Sequence, residues 1–150
     1  MAGTYSNILL HLVFSTKHRR PLINADLRRR LYDYLGGIIR GEEGVLYEIG
    51  GTPDHVHLLI RWRPNRTISD LLRDLKSQTS TWIHETFAEH RHFEWQGGYG
   101  VFSVSASRVE SVKAYIRGQE EHHRRQTFQE EFLEFLQRNG VEYDERYIWE

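Results

Sequence analysis

Two histidines separated by a single residue are the first group in this sequence that could do chemistry. His55 and His57 occur in the segment Asp54-His55-Val56-His57, at the start of a predicted strand. Because alternate side chains of a strand point to the same face, the two imidazoles should lie side by side, where they could bind one divalent ion. The same spacing also fits two ordinary histidines on an open sheet face, so the pair needs support from other residues.

Tyr115 and Gln119 form the second such group. They are four residues apart, which places them on one face of a predicted helix, just beside its apolar stripe. From that position both side chains could reach into the seam between the helix and a sheet. A tyrosine at the margin of the stripe and a surface glutamine would fit the same pattern. Gly118, between them, lowers the helix propensity by ~1 kcal/mol relative to alanine and could allow the helix to bend.

Strands and helices that could position these groups are predicted along the whole chain. Apolar segments predict strands over residues 7–15, 45–49, 56–62 and 101–105, with a turn over residues 50–54. Helix starts are predicted at four N-caps, namely Asn24, Thr67 with Asp70, Ser107 with Glu110, and Thr127 with Glu130. The first helix should end at Gly41, the third near Glu121 and the last at Gly140.

The order of these elements predicts a single α+β domain over residues 1–150. The first six follow the order β-α-β-β-α-β, which is the ferredoxin-like, split βαβ pattern. In that topology the first and third strands are the central pair of an antiparallel sheet, and two helices cover one of its faces. Additional C-terminal helices follow the pattern here. The His55/His57 pair would therefore open a central strand.

Several motifs in this order give the chain a family resemblance. They are Thr16-Lys17-His18-Arg19-Arg20-Pro21 after the first strand, Pro53-Asp54-His55-Val56-His57-Leu58-Leu59, Trp95-Gln96-Gly97-Gly98-Tyr99, and Tyr115-Ile116-Arg117-Gly118-Gln119. Together they cover nearly the whole chain, and the chain resembles the single-tyrosine HUH transposases. Those enzymes mobilise insertion sequences as single strands, and a related class is associated with repetitive extragenic palindromes (REP).

The resemblance implies an activity and a site. It implies a DNA strand transferase that cleaves and rejoins single-stranded, hairpin-bearing DNA through a covalent 5′-phosphotyrosine intermediate. Tyr115 would be the nucleophile, and His55, His57 and Gln119 would bind Mg²⁺ or Mn²⁺. It also implies a homodimer in which the tyrosine helix of one subunit completes the histidine pair of the other. No nucleotide cofactor is expected, because the phosphotyrosine link conserves the energy of the broken phosphodiester.

Three other functions fit parts of the same pattern. A domesticated relative could bind palindromic DNA for regulation without cutting it. A metal-dependent phosphodiesterase could use the histidines without a covalent intermediate, leaving Tyr115 a structural role. A non-catalytic metal-binding protein is the third alternative. All four residues that the resemblance requires are present, which favours the transferase.

Charge and composition add expectations about partners. The net charge of −1 gives no hint of nucleic acid, but basic residues are clustered. The residues predicted to bind DNA are Lys17, Arg19, Arg20, Arg61, Arg63, His122, His123 and Arg124, which could converge on one phosphate-binding surface. These basic residues could equally lie on solvent-exposed faces that bind nothing. His122 and His123 could instead lie near the metal. His11, on the first strand, could orient a metal-binding histidine or be a core histidine.

The remaining composition bounds the class of protein. Cysteine is absent, which excludes disulfides, thiolate metal sites and a cysteine nucleophile. No segment approaches the roughly 20 apolar residues of a membrane span, and the N-terminus lacks the layout of a signal peptide. We therefore expect a cytoplasmic protein with no membrane partner.

Overall fold

The computed structural model describes residues 3–149 and shows the predicted order of elements. Its strands are β1 (Ile8–Ser15), β2 (Val45–Thr52), β3 (His55–Trp62) and β4 (Gly100–Ser103). Its helices are α1 (Ala25–Gly41), α2 (Ile68–Thr86), α3 (Val109–Arg117), α4 (Gln119–His122) and α5 (Phe128–Arg138). Among these described helices, no stretch is both long and apolar enough to cross a bilayer.

The four strands form one antiparallel sheet in the order β2-β3-β1-β4. This order confirms the predicted ferredoxin-like α+β fold, with β1 and β3 as the central pair. In their register Ile8 lies opposite Trp62, and Ser15 lies opposite His55. The start of β3 is therefore at the same end of the sheet as the end of β1.

Each face of the sheet carries its own apolar core. Leu12 and Phe14 of β1 belong to the larger core, which includes the buried faces of α1 and α2. Val13, on the opposite face, belongs to a smaller core with Phe128 and Phe132 of α5. This division follows from the strand period of two, which sends alternate β1 side chains to opposite faces. The last long helix thus covers the face that α1 and α2 leave open.

Three of the four predicted helix caps are confirmed. The side-chain oxygens of Asn24, Thr67 and Thr127 accept hydrogen bonds from backbone N–H groups in the first turns of α1, α2 and α5. The Ser107 cap was wrong. A single 3₁₀ turn over Ala106–Arg108 precedes α3, and this helix begins at Val109 without a side-chain cap.

The predicted turn over residues 50–54 was also too long. β2 continues to Thr52, and only Pro53 and Asp54 make the reversal into β3. Gly50 is part of the strand, where a Cβ atom would overlap the backbone carbonyl oxygen of Ile116. Glycine is needed here because α3 lies directly on β2, not because the chain turns.

The helix predicted to run from Ser107 to about Glu121 is broken at Gly118. This residue ends α3 by donating its backbone N–H to the carbonyl of Ala114, and α4 begins at the next residue. α5 ends at Arg138, and Gly140 follows with a positive φ of 64°. That conformation is the usual reason for glycine just beyond a helix.

Candidate active site

The two histidines lie as predicted on one face at the start of β3, while Val56 points into the opposite core. Both imidazoles are fully buried, and their ring centroids are 5.0 Å apart. The alternative of two ordinary histidines on an open sheet face does not apply, because the aromatic side chains of α5 cover this face. Phe128 packs on the ring of His55 at a centroid distance of 4.5 Å.

Each histidine is oriented by a hydrogen bond at Nδ1. The Nδ1 atom of His57 lies 2.8 Å from Nε2 of His11. The Nδ1 atom of His55 lies 2.7 Å from a carboxylate oxygen of Asp54 and 2.9 Å from the hydroxyl of Thr52. A partner on one ring nitrogen fixes the direction of the other, which is how metal-binding histidines are held. His11 is therefore a buried core histidine that also contacts His57, a predicted ligand.

Tyr115 and Gln119 reach this histidine pair despite the break at Gly118. The side-chain oxygen of Gln119 lies 3.0 Å from Nε2 of His55, and this glutamine is buried. The hydroxyl of Tyr115 lies 3.4 Å from Nε2 of His122 and donates a hydrogen bond to Glu131. The four residues that the sequence singled out converge within a single chain.

Glu131 of α5 is the site residue that the sequence analysis missed. Its carboxylate is 1% exposed, and Oε1 lies 3.0 Å from Nε2 of His57 and 3.5 Å from Nε2 of His55. The other oxygen, Oε2, lies 3.2 Å from Nε2 of His123. A signal for it exists in the sequence. Glu131 occupies a position on the apolar stripe of α5, three residues after Phe128, where a charged residue is unexpected.

These donor groups suit a divalent metal ion. One atom from each of His55, His57, His123 and Glu131 lies within 4.8 Å of the others, so the cluster could bind a metal ion. Ligands about 2.1 Å from an octahedral ion are about 3.0 Å apart when adjacent, close to the separations seen here. Imidazole, carboxylate and amide donors fit Mg²⁺ or Mn²⁺ in kind, but the donor set does not select between them.

Burial keeps two of the imidazoles neutral. It lowers the pKa of His57 to about 4, although the neighbouring Glu131 acts in the opposite direction. Burial and the nearby His57 lower the pKa of His11 to about 3. For His55, burial is outweighed by hydrogen bonds with Asp54 and Glu131, which raise its pKa to about 9. With these pKa values, at neutral pH His57 is neutral and His55 is protonated in the metal-free chain.

Glu131 also sets the charge next to Tyr115. Burial would raise the pKa of Glu131, but hydrogen bonds with His123, His55 and His57 hold it well below its usual range. Burial and the negative charge of Glu131 raise the pKa of Tyr115. In the metal-free chain Glu131 therefore disfavours the phenolate form of Tyr115.

The basic residues predicted to bind DNA lie towards both ends of the sheet. Lys17, Arg19 and Arg20 follow β1 at the end of the sheet where His55 lies. Arg61 is six residues from His55 along β3, or ~20 Å, near the opposite end.

Several of the predicted DNA contacts have partners within the chain, among them Lys17, which pairs with Glu94 at 3.2 Å. Arg63 pairs with Glu43 at 3.0 Å, and the exposed Arg124 pairs with Glu121 at 2.8 Å. His122 and His123 face the Glu131 carboxylate, which is the metal-region position considered for them.

Comparisons with known sequences agree on one family of proteins. The family model described as "Transposase IS200 like" matches residues 4–119. The chain is 27% identical over 125 residues to a transposase for insertion sequence element IS200 from Salmonella typhimurium, covering 79% of this chain and 81% of the relative. It is also 27% identical over 116 residues to the ISDra2 transposase TnpA of Deinococcus radiodurans, with coverage of 73% and 81%.

Comparison with solved structures supports the same fold. A crystal structure from Deinococcus radiodurans, assigned as a transposase, superposes with a TM-score of 0.66 and 26% identity, covering 77% of this chain and 93% of that one. A REP-associated tyrosine transposase bound to a REP hairpin gives a TM-score of 0.57 at 13% identity, covering 77% and 68%. At that identity the second likeness concerns the fold alone.

The fold and the sequence match together identify a transposase, a class of DNA strand transferases. This chain belongs to the IS200-like transposase family. The family match ends at Gln119, so that His122, His123 and Glu131 lie beyond it.

Proposed function

We propose that the protein cuts and rejoins single-stranded, hairpin-bearing DNA through a covalent 5′-phosphotyrosine formed at Tyr115. A divalent ion, Mg²⁺ or Mn²⁺, is held by His55, His57 and Gln119. The observation that carries the proposal is the convergence of Tyr115 and Gln119 on the buried histidine pair. The ring centroids of Tyr115 and His57 are 5.9 Å apart, and the side-chain oxygen of Gln119 lies 3.0 Å from His55. Because the chain belongs to a transposase family, we interpret these residues as a site that cuts DNA.

The side chains around the ion have separate tasks. When bound, the ion supplies Lewis acidity that withdraws charge from the scissile phosphate and orients it. His57 would bind through Nε2 while its Nδ1–H donates a hydrogen bond to Nε2 of His11. Asp54 orients His55 in the same way. His55 must give up a proton to bind the ion, and Asp54 can keep the remaining Nδ1 proton in place. With an ion held there, the negative charge of Glu131 would be offset, and the pKa of Tyr115 would fall.

The covalent step balances with the groups present. The Tyr115 oxygen attacks the phosphorus, an O–P bond forms, and the bond from phosphorus to the 3′ oxygen of the preceding nucleotide breaks. The phenolic proton passes to Nε2 of His122, which lies 3.4 Å away and is partly exposed to solvent. The released 3′ oxygen takes a proton from water. Rejoining is the reverse attack by a 3′ hydroxyl on the phosphotyrosine, which needs no ATP.

The DNA partner follows from the surface near the site and from one neighbour. Lys17, Arg19 and Arg20 are placed at the His55 end of the sheet, where they can neutralise the phosphates of a strand entering the site. The REP-associated transposase with a similar fold binds a hairpin, which supports a hairpin as substrate.

The proposal includes a homodimer with shared sites. In the described chain α3 packs on its own β2, with Ile116 over Gly50, and Tyr115 faces its own histidines. In the proposed dimer α3 would make the same contacts with β2 and β3 of the second subunit, so the chemistry at each site is unchanged.

Replacing Tyr115 by phenylalanine tests the covalent step. Tyr115→Phe removes one oxygen, so we expect cleavage to be abolished while binding of the DNA hairpin is nearly unchanged. The measurement is a denaturing gel of a labelled single-stranded hairpin incubated with the protein and Mn²⁺, on which a covalent adduct runs slowly. Tyr5→Phe, at a side chain 94% exposed, is the matched control and should form the adduct normally.

The same gel separates the alternatives. An adduct that persists in Tyr115→Phe would show that the nucleophile lies elsewhere. Cleavage by the wild-type protein without any adduct would favour a phosphodiesterase. Hairpin binding without cleavage would favour a regulatory DNA-binding protein.

A further inference from the structure

Glu131 is a buried carboxylate that the mechanism above does not need. It belongs to α5, which lies outside the residues matched by the family model. Nevertheless it is placed at the centre of the site, with both oxygens directed at nitrogen donors. A charged group that is almost fully buried requires a specific set of partners, because its desolvation is costly. The nature of those partners indicates what it does.

The partners of Glu131 are the atoms that would bind the ion. Oε1 contacts the Nε2 atoms of His55 and His57, whose Nδ1 atoms are already engaged by Asp54 and His11. Both imidazoles therefore present their free nitrogen to the same carboxylate oxygen. Gln119 donates a hydrogen bond from Nε2 to Oε2 at 3.2 Å while its own oxygen faces His55.

From this geometry we propose that Glu131 is itself a ligand of the divalent ion. Its carboxylate oxygen would join the two imidazoles in the coordination sphere, as an anionic ligand contributed by α5. The separations of 3.0 and 3.5 Å between Oε1 and the histidine nitrogens are those of adjacent ligands around an ion that binds at about 2.1 Å. This inference rests on the proposed metal-dependent function and adds a ligand that the predicted set of His55, His57 and Gln119 lacks.

Metal binding without DNA tests the inference directly. The full-length chain is stripped with EDTA, dialysed, and titrated with Mn²⁺ while free Mn²⁺ is followed by electron paramagnetic resonance. Glu131→Gln keeps the shape of the side chain and removes its charge, and we expect it to bind Mn²⁺ at least about tenfold more weakly than the wild type. Glu134→Gln, one turn along α5 at a half-exposed position, is the matched control and should bind as the wild type does.

The opposite result would overturn the inference. If Glu131 only fills the site when the ion is absent, it competes with the ion, and Glu131→Gln should bind Mn²⁺ as tightly as the wild type or more tightly. A wild type that binds no Mn²⁺ would reject the inference as well. If Glu131→Gln does not fold, Mn²⁺ binding is measured with Glu131→Asp instead. Its carboxylate is set back by one methylene group, so its affinity must fall, and unchanged affinity rejects the ligand role.

The inference and the proposed function can fail separately. Suppose that Glu131→Gln binds Mn²⁺ more weakly and that the adduct persists in Tyr115→Phe. Glu131 is then supported as a ligand, and Tyr115 is rejected as the nucleophile. If instead Glu131→Gln binds Mn²⁺ normally and Tyr115→Phe loses the adduct, Tyr115 is supported as the nucleophile and the ligand role of Glu131 is rejected.

Discussion

His57, one of the two histidines that open β3, has a partner at each ring nitrogen. One ring nitrogen faces His11 and the other faces Glu131, and the ring is fully buried. Removing the imidazole therefore leaves two buried polar partners short of a hydrogen bond. Such a loss typically costs about 1–3 kcal/mol. Although His57 lies near the start of a strand, removing it should destabilise the protein, because α5 buries it.

We predict that His57→Ala loses Mg²⁺- or Mn²⁺-dependent cleavage and is less stable by about 1–3 kcal/mol. Cleavage is measured on the labelled hairpin, and stability by urea unfolding in EDTA, where no metal contributes. His92→Ala, at an exposed histidine, should change neither quantity. Excess EDTA should stop the wild type. Full cleavage under that condition would remove the metal ion from the mechanism.

The sequence predicted the positions of the candidate site residues better than it predicted their surroundings. The strand period places His55 and His57 on one face, and the helical spacing places Tyr115 and Gln119 together, since both depend only on local geometry. Glu131 could not be placed in this way. The Thr127 cap predicts where α5 begins, but no local pattern states which face of the sheet the helix covers.

At the scale of elements, the position of α3 depends on Gly50 of β2. Its missing Cβ allows the backbone of α3 to lie against the strand at Ile116. The sequence predicted a turn here because paired glycines followed by Pro53 and Asp54 usually mark one. Tertiary packing explains the glycine instead, and nothing in the local sequence distinguishes the two reasons. The order of strands could be predicted, whereas the strand and helix ends set by contacts with other elements could not.

We predict that Gly50→Ala is destabilising by about 1–3 kcal/mol and lowers cleavage, because the added methyl group pushes α3 and Tyr115 away from β3. Gly37→Ala is the matched control. Gly37 is an exposed residue within α1, with no atom within 4 Å of an added Cβ, so alanine there should stabilise the protein by up to about 1 kcal/mol. Urea unfolding measures both variants. Equal stability of Gly50→Ala and wild type would show that α3 does not rest on this strand.

For the whole molecule, the proposed dimer decides how many chains build one site. We predict that mixing His57→Ala with Tyr115→Phe, under conditions that exchange subunits, restores cleavage. If sites are shared, each mixed dimer has one site with both changes and one with neither. The gel assay measures the recovered activity, and native mass spectrometry confirms the mixed dimers.

An inactive mixture that contains mixed dimers would instead show that each site is built within one chain. That is the arrangement in which α3 lies on its own β2. It would leave the role of Tyr115 unchanged, since the contacts between helix and sheet are the same in both arrangements.

The sheet order has a consequence for how long each half of the site persists. β3 is hydrogen-bonded to a neighbour on both sides, so its backbone amides can open only when the sheet itself comes apart. α3 is nine residues long, packs mainly on the edge strand β2, and ends at Gly118. Its opening breaks far fewer contacts and needs less free energy. The histidines would then stay in place until the whole domain unfolds. Tyr115 would leave the site and return many times before that happens.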